Sequence, residues 1–205
     1  MTVNHKELSK IAFNEDAAQY DSSAEYRRIL EKHHIILEEL MKYKFSDYLD
    51  IGCGTGSLLN LVYQSNPNIN LYGIDLSEEM IRIAKRKLPK GTNLSIGDSE
   101  KLPYENGTFQ MISCTFSFHH YPNPEKVINE INRVLTFRGK LILVDAVMSF
   151  PLLQLANLLI RFSKKGDYKF YSRSQYLNLM ANAGLKVVHW SHIGGPGYLI
   201  VADKT

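Results

Sequence analysis

The chain has 205 residues, 44% hydrophobic and 22% charged, with 24 basic against 21 acidic side chains. That length predicts one domain with at most a small cap, and the composition excludes collagen-like, disordered and disulfide-scaffold chains. A formal charge of +3 is too mild to point by itself to a nucleic acid or a membrane surface.

The two cysteines, Cys53 and Cys114, lie far apart, which suits a reducing cytoplasm. Met1-Thr2-Val3-Asn4-His5-Lys6 lacks the apolar core of a signal peptide. The longest apolar tract, Phe150 to Phe162, is broken by Gln154, Asn157 and Arg161, short of the ~20 apolar residues of a membrane span. A cytoplasmic location without stable membrane insertion is expected.

In chain order, the first 20 residues carry only scattered apolar positions and are expected to be mobile or lid-like. From Ala24 to Met41, Ile29, His33, Ile36 and Leu40 recur in steps of four, three and four, one face of a helix. Tyr48-Leu49-Asp50-Ile51 reads as a buried strand that ends in Gly52-Cys53-Gly54-Thr55-Gly56. A helix with Leu58, Leu59 and Val62 on one side follows and stops at Asn66-Pro67. Leu71 to Ile74 is a second strand, ending at Asp75. Ser77 caps the next helix, Glu78-Glu79 suit its N-terminus, and Pro89 and Gly91 end it.

Asn93 to Ile96 is a third strand, ending at Gly97-Asp98, and Gln110 to Cys114 is a fourth. Asn123-Pro124-Glu125 reads as a helix start with Asn as cap. Leu141 to Val144 is a fifth strand, ending at Asp145. Ser172 and Gln175 form a capping box for a last helix that ends near Gly184. Two strands, Leu185 to Ile193 and Tyr198 to Ala202, close the chain. No helix fits between them, so the last must run antiparallel. The prediction is an α/β fold, a Rossmann-like seven-stranded, mostly parallel sheet with a C-terminal antiparallel hairpin and helices on both faces.

Glycines 52, 54 and 56 let the backbone turn sharply and approach a ligand at the carboxyl end of the first strand. The turn departs from the dinucleotide fingerprint, because Ser57 stands at its sixth position. Asp50 would repel a pyrophosphate but suits a cationic end, such as an ammonium or a sulfonium. Asp75 can accept hydrogen bonds from ribose hydroxyls. Asp98, with the Ser99 backbone N–H, can read an adenine edge.

These residues resemble the class I S-adenosylmethionine-dependent methyltransferases, in the small-molecule branch typified by ubiquinone/menaquinone-biosynthesis enzymes. The resemblance runs from about Phe13 to Ala202. Tyr48 to Gly56 is similar to the D-x-G-x-G-x-G motif, Gly73 to Met80 to the acidic second-strand motif, and Gly97 to Pro103 to the adenine-site motif. Thr108 to Pro124 resembles the fourth-strand motif, and Ala17 to Asp21 the Tyr-Asp element that covers the cofactor. Leu135-Thr136-Phe137-Arg138-Gly139 departs from the family's Leu-x-Pro-Gly-Gly turn.

The resemblance implies a methyltransferase that uses S-adenosylmethionine and releases S-adenosylhomocysteine. Asp50, Gly52, Cys53, Gly54 and Gly56 would hold the methionine end, Asp75 the ribose, and Gly97, Asp98 and Ser99 the adenine, with Leu76 and Met80 packed on it. Tyr20, Thr115 and Phe116 would complete the cofactor site. His119 is the candidate general base, its other reading being structural. No metal is expected: His119-His120 alone lacks ligand spacing, and Ser113 to Tyr121 holds no acidic ligand.

The absence of a D/N-P-P-Y sequence after the fourth strand argues for a small-molecule acceptor over nucleic acid. The basic residues Lys85, Arg86, Lys87 and Lys90 read as a solvated helix face, and Lys164-Lys165 as a loop. Residues 1–43 are expected to form a lid and helix, and residues 146–171 an insertion that caps the substrate, packs on the sheet or supports a homodimer. A cofactor-binding regulator without turnover stays open, as does a nicotinamide-dependent oxidoreductase, which Asp50 and Ser57 disfavour.

Overall fold

The computed structural model describes residues 4–160, 163 and 166–205, with the side chain of Glu25 left aside. Arg161, Phe162, Lys164 and Lys165, which the sequence reading placed in the apolar tract and in a loop, lie outside the described residues.

The elements alternate as their periodicities predict. Helices α1 (His5–Tyr20) and α2 (Ala24–Leu40) precede β1 (Asp47–Ile51), α3 (Ser57–Ser65), β2 (Asn70–Asp75), α4 (Glu78–Lys87) and β3 (Asn93–Ile96). Then come β4 (Phe109–Thr115), a 3₁₀ turn (Phe118–His120), α5 (Pro124–Val134) and β5 (Leu135–Ala146). The chain closes with α6 (Leu152–Leu159), α7 (Arg173–Asn182), β6 (Leu185–His192) and β7 (Gly197–Lys204). The strands form one sheet in the order β3-β2-β1-β4-β5-β7-β6. All neighbours pair in parallel except β7, which runs antiparallel to both β5 and β6.

Alternate residues of each strand serve opposite faces. Leu49, Ile112 and Leu143 are buried with Ile128 and Ile131 of α5 and Tyr176 and Met180 of α7. Tyr48, Met111 and Ile142 are buried on the other side with Ile36 of α2, Leu59 of α3 and Ala84 of α4. The order steps outward from β1 to β2 and β3 on one side and to β4 and β5 on the other. The ends of β1, β2 and β4 therefore open a crevice at the switch point, where open α/β sheets bind ligands.

Three local details refine the expectations. The first 20 residues, expected to be mobile or lid-like, contain the 16-residue α1, capped by Asn4. Its few apolar positions hid it, because polar contacts hold it. The Leu135–Gly139 segment, which departs from the family's turn, opens β5 at Leu135 and bulges past a register shift against β4, with Arg138 at φ 62°. Asn123 precedes α5 without a side-chain cap and instead donates to both carboxylate oxygens of Glu100, at 2.9 and 3.0 Å.

Residues 146–171 leave the end of β5, form α6 and return through a bridge between Val147 and Tyr171. Asn157 ties the loop shut by bonding both backbone groups of Phe170. Leu152, Leu155, Leu158 and Leu159 of α6 are exposed, so this helix does not pack as sheet core. Among the described residues no helix is long and apolar enough to cross a membrane.

Leu143 is fully buried in the interior strand β5, whereas Phe137 near its start is 72% exposed. Leu143→Ala is expected to cost about 2–5 kcal/mol in urea unfolding, and Phe137→Ala within about 0.5 kcal/mol. Equal costs would contradict the placement of the core.

Candidate active site

The end of β1 builds the first wall of the site. Asp50 shares a face with Tyr48 and pairs in register with Ser113 of β4. The Ser113 hydroxyl donates to Asp50 Oδ1 at 2.5 Å and lies 2.6 Å from the Tyr48 hydroxyl. Asp50 is almost wholly buried. Burial pushes its carboxyl up to about 7, against the Ser113 bond, and the nearby Asp75 carboxylate adds to the rise.

The glycine turn follows. Gly52 has φ +70°, and a Cβ there would lie 2.7 Å from the Ser117 side chain. Gly56 has φ +79°, and a Cβ would meet Leu88 at 2.6 Å. Both positions therefore need glycine, for backbone conformation and for space. Between them the Gly54 N–H donates to Asp75 Oδ2 at 2.9 Å, while the Ser77 N–H donates to Asp75 Oδ1 at 2.8 Å. Asp75 is thus fixed at the end of β2 by two backbone donors. Burial still raises its carboxyl, against those bonds.

Helix α1 lies across these strand ends through polar contacts. Lys6 bonds Asp98 at 2.7 Å and Glu100 at 2.8 Å. Lys10 reaches Glu78 at 2.9 Å, and Asn14 accepts from the Ser77 hydroxyl at 2.6 Å. Asp21, after the helix, accepts from the Thr55 hydroxyl at 2.7 Å and pairs with Lys87. The helix ties the glycine turn, the start of α4 and the end of β3 together.

A cavity lies beneath α1. Tyr20, Asp50, Gly52, Cys53, Gly54, Asp75, Leu76, Met80, Gly97, Asp98, Ser99, Thr115 and Phe116, all expected at the site, line it. Gly56 does not; it is the residue before α3 and packs against Leu88. His119 does not line the cavity either, and its neighbour His120 does. The 3₁₀ turn sets this: the His119 ring turns to Asp145 at the end of β5, with Nδ1 2.7 Å from Oδ1, while its N–H donates to Oδ2 at 2.9 Å. Phe116 holds the left-handed region at φ 52°, local strain of the kind found at functional sites.

Sequence reasoning missed Lys6, Ser9 and Phe13 of α1, and also His33, Ser117 and Tyr121, all of which line the cavity. The signal for His33 was present, a histidine on the apolar face of α2. It is buried, bonds Ser57 at 3.3 Å, and is pushed down to about 4 by burial, so it is neutral at pH 7. No described residue of 146–171 lines this cavity.

The sheet order, the turn after β1 and the acids ending β2 and β3 define a class I methyltransferase fold. Residues 49–143 match the family described as "Methyltransferase domain". A methyltransferase of Bacillus cytotoxicus is 34% identical over 142 residues, 66% of each chain, so this chain spans about two-thirds of that relative's length. A solved S-adenosylmethionine-dependent methyltransferase from Thermotoga maritima is 19% identical and superposes with a TM-score of 0.74, over 98% of this chain and 100% of that one. The [4+2]-cyclase SpnF, 19% identical, superposes with a TM-score of 0.71 over 85% and 81%. These two likenesses show the fold. The family match and the relative thus place residues 49–143 in the methyltransferase-domain family, and the solved structures show that the chain has the class I methyltransferase fold.

Asp50 generates a pH prediction. The folded chain keeps its proton up to about pH 7, whereas an unfolded carboxyl releases it near about pH 4. The folded state binds more protons between those values, so Asp50 contributes stability that is lost as pH rises through 7. His33, neutral when folded, acts in the opposite sense between about pH 4 and 6.5. The test is therefore a difference: urea unfolding should show Asp50→Asn gaining on the parent chain from pH 5 to pH 8. A gap independent of pH would contradict the buried carboxyl.

Proposed function

We propose that this chain moves a methyl group from S-adenosylmethionine to a small-molecule acceptor and releases S-adenosylhomocysteine. The observation that carries the reading is one cavity with Asp50, Asp75 and Asp98 at three successive strand ends and a glycine turn between the first two. The residues fit the cofactor. At Gly54 no atom lies within 4 Å of where a Cβ would stand, so the backbone is open to a ligand. Asp50 suits the methionine ammonium, Asp75 the ribose hydroxyls, and Asp98 with the Ser99 N–H the adenine edge. Leu76 and Met80 supply the apolar packing.

The bound cofactor brings an already activated sulfonium methyl, so the chain has to position it and exclude water. Helix α1 with Phe13 and Tyr20 covers the cavity, and Phe116 offers an aromatic face favourable to a sulfonium. The acceptor must also lose a proton. His120 takes the place at the cavity expected for His119, and we assign acceptor contact to it. His119, held by Asp145, positions it. The small-molecule acceptor is supported by Thr115-Phe116-Ser117-Phe118 after β4, which lacks the amide-Pro-Pro-aromatic pattern of base-amino methylases. The ubiquinone-type branch, a single working domain and a cytoplasmic setting rest on the sequence motifs and composition.

One reading competes. The same fold serves a [4+2]-cyclase, so a cofactor-binding chain with other chemistry is the alternative. Turnover decides: S-adenosylhomocysteine should accumulate with one member of a mixed phenol, amine and carbon-acid panel, and binding without release across that panel would favour the alternative.

Two variants follow. Asp75→Ala should weaken S-adenosylhomocysteine binding by about 1–3 kcal/mol in calorimetry, and unchanged affinity would remove Asp75 from the site. His120→Ala should lower kcat on the acceptor while sparing that affinity; an unaltered rate would leave His120 a wall residue.

A further inference from the structure

The sequence offered His119-His120 as a pair without a third ligand. The fold supplies one from 47 residues onward, by the difference of positions 120 and 167. His119, His120 and Asp167 place one ligand atom each within 4.8 Å of one another. His119 Nε2 lies 3.5 Å from Asp167 Oδ1, and His120 Nδ1 lies 3.2 Å from the same oxygen. A tetrahedral ion with bonds of about 2.1 Å sets its ligand atoms about 3.4 Å apart. The two histidine–carboxylate spacings match that separation, and the third lies within 4.8 Å.

The supporting contacts orient each ligand. Both Asp145 oxygens accept backbone N–H groups, Oδ1 from Ala146 at 2.7 Å and Oδ2 from His119 at 2.9 Å. The carboxylate thus acts as acceptor, and His119 Nδ1, 2.7 Å from Oδ1, is the donor. In the neutral ring this leaves the Nε2 lone pair turned to Asp167. A histidine held by a carboxylate on its far nitrogen is the arrangement that fixes metal-ligating imidazoles. Ser163 donates to Asp167 Oδ2, which leaves Oδ1 to the histidines. The His119 carbonyl accepts the N–H groups of Tyr168 and Lys169 at 2.9 and 3.0 Å, and Phe170 stacks on its ring with centroids 5.4 Å apart. Phe13 of α1 packs edge-on to His120 at 5.2 Å.

We propose that His119 Nε2, His120 Nδ1 and Asp167 Oδ1 bind a divalent first-row transition ion. Two imidazoles and one carboxylate suit zinc, cobalt, iron or manganese better than magnesium or calcium. The ion ties the loop before Tyr171 to the 3₁₀ turn and sits at the edge of the cavity through His120. Three protein ligands leave a position open for water or an acceptor oxygen. The site stands whether or not the chain transfers methyl groups, and its test does not use turnover.

The experiment uses tag-free protein stripped with EDTA and titrated with Co²⁺, read by its visible d–d absorption, followed by displacement with Zn²⁺. One ion per chain is expected, in a tetrahedral-type spectrum that Zn²⁺ abolishes. Asp167→Asn and His119→Gln should lose the spectrum. Asp145→Asn, which keeps all three ligands, should weaken binding about 10–100-fold. His34→Gln, on the exposed side of α2, should bind as the parent does. No Co²⁺ spectrum in the parent chain, or one that survives Asp167→Asn, overturns the proposal. Thermal unfolding of the metal-free variants separates loss of ligand from loss of fold. If Asp167→Asn fails to fold, the parent and Asp145→Asn titrations still decide.

Discussion

Two carboxylates withdrawn from water at the ends of adjacent strands are the constraint around which this molecule is arranged. Asp50 sits where burial keeps its proton to about pH 7, and the nearby Asp75 carboxylate adds to that rise. A buried acid costs stability unless something answers it. Ser113 answers Asp50 partly from the neighbouring strand, and the Tyr48 hydroxyl bonds Ser113 in turn. The Gly54 and Ser77 N–H groups answer Asp75. The remaining demand is for a positive charge and for hydroxyl donors, and it points into one cavity. A ligand with an ammonium at one end and a ribose further along meets both.

The rest of the fold holds that pair in place. Parallel pairing of β1 with β2 and β4 sets Asp50 beside Gly73 and Ser113. The turn reverses within five residues because Gly52 and Gly56 have no Cβ to strike Ser117 and Leu88. Helix α1 then spans the opening through Lys6, Lys10, Asn14 and the following Asp21 rather than through an apolar face. Such contacts are individually weak when exposed. A cover held by them can open and close without unfolding the sheet beneath, as ligand exchange requires.

The sequence was most legible where one signal dominated. Short apolar runs ended by turn residues placed the strands, the 3.6 period placed most helices, and the hairpin at Gly194-Gly195-Pro196-Gly197 forced the antiparallel end. Asp50, Asp75 and Asp98 were legible because each closes a strand. Helix α1 was not, since Leu8 and Ile11 are exposed and its partners Asp98, Glu78 and Ser77 lie far along the chain. The choice between His119 and His120 depended on a 3₁₀ turn and on Asp145, 26 residues away. Asp167 beside them depended on the path of a loop, which no local pattern encodes.

The account rests most directly on Asp50 facing a cation, and protons report it. At pH 7 a carboxyl poised near 7 is about half protonated, and a bound ammonium drives the proton off. Calorimetry of S-adenosylhomocysteine at pH 7, in two buffers of different ionisation enthalpy, counts the protons released. Release of a substantial fraction of one proton per ligand is expected, absent in Asp50→Asn. Binding with no proton release in the parent chain, or release that persists in Asp50→Asn, would contradict it.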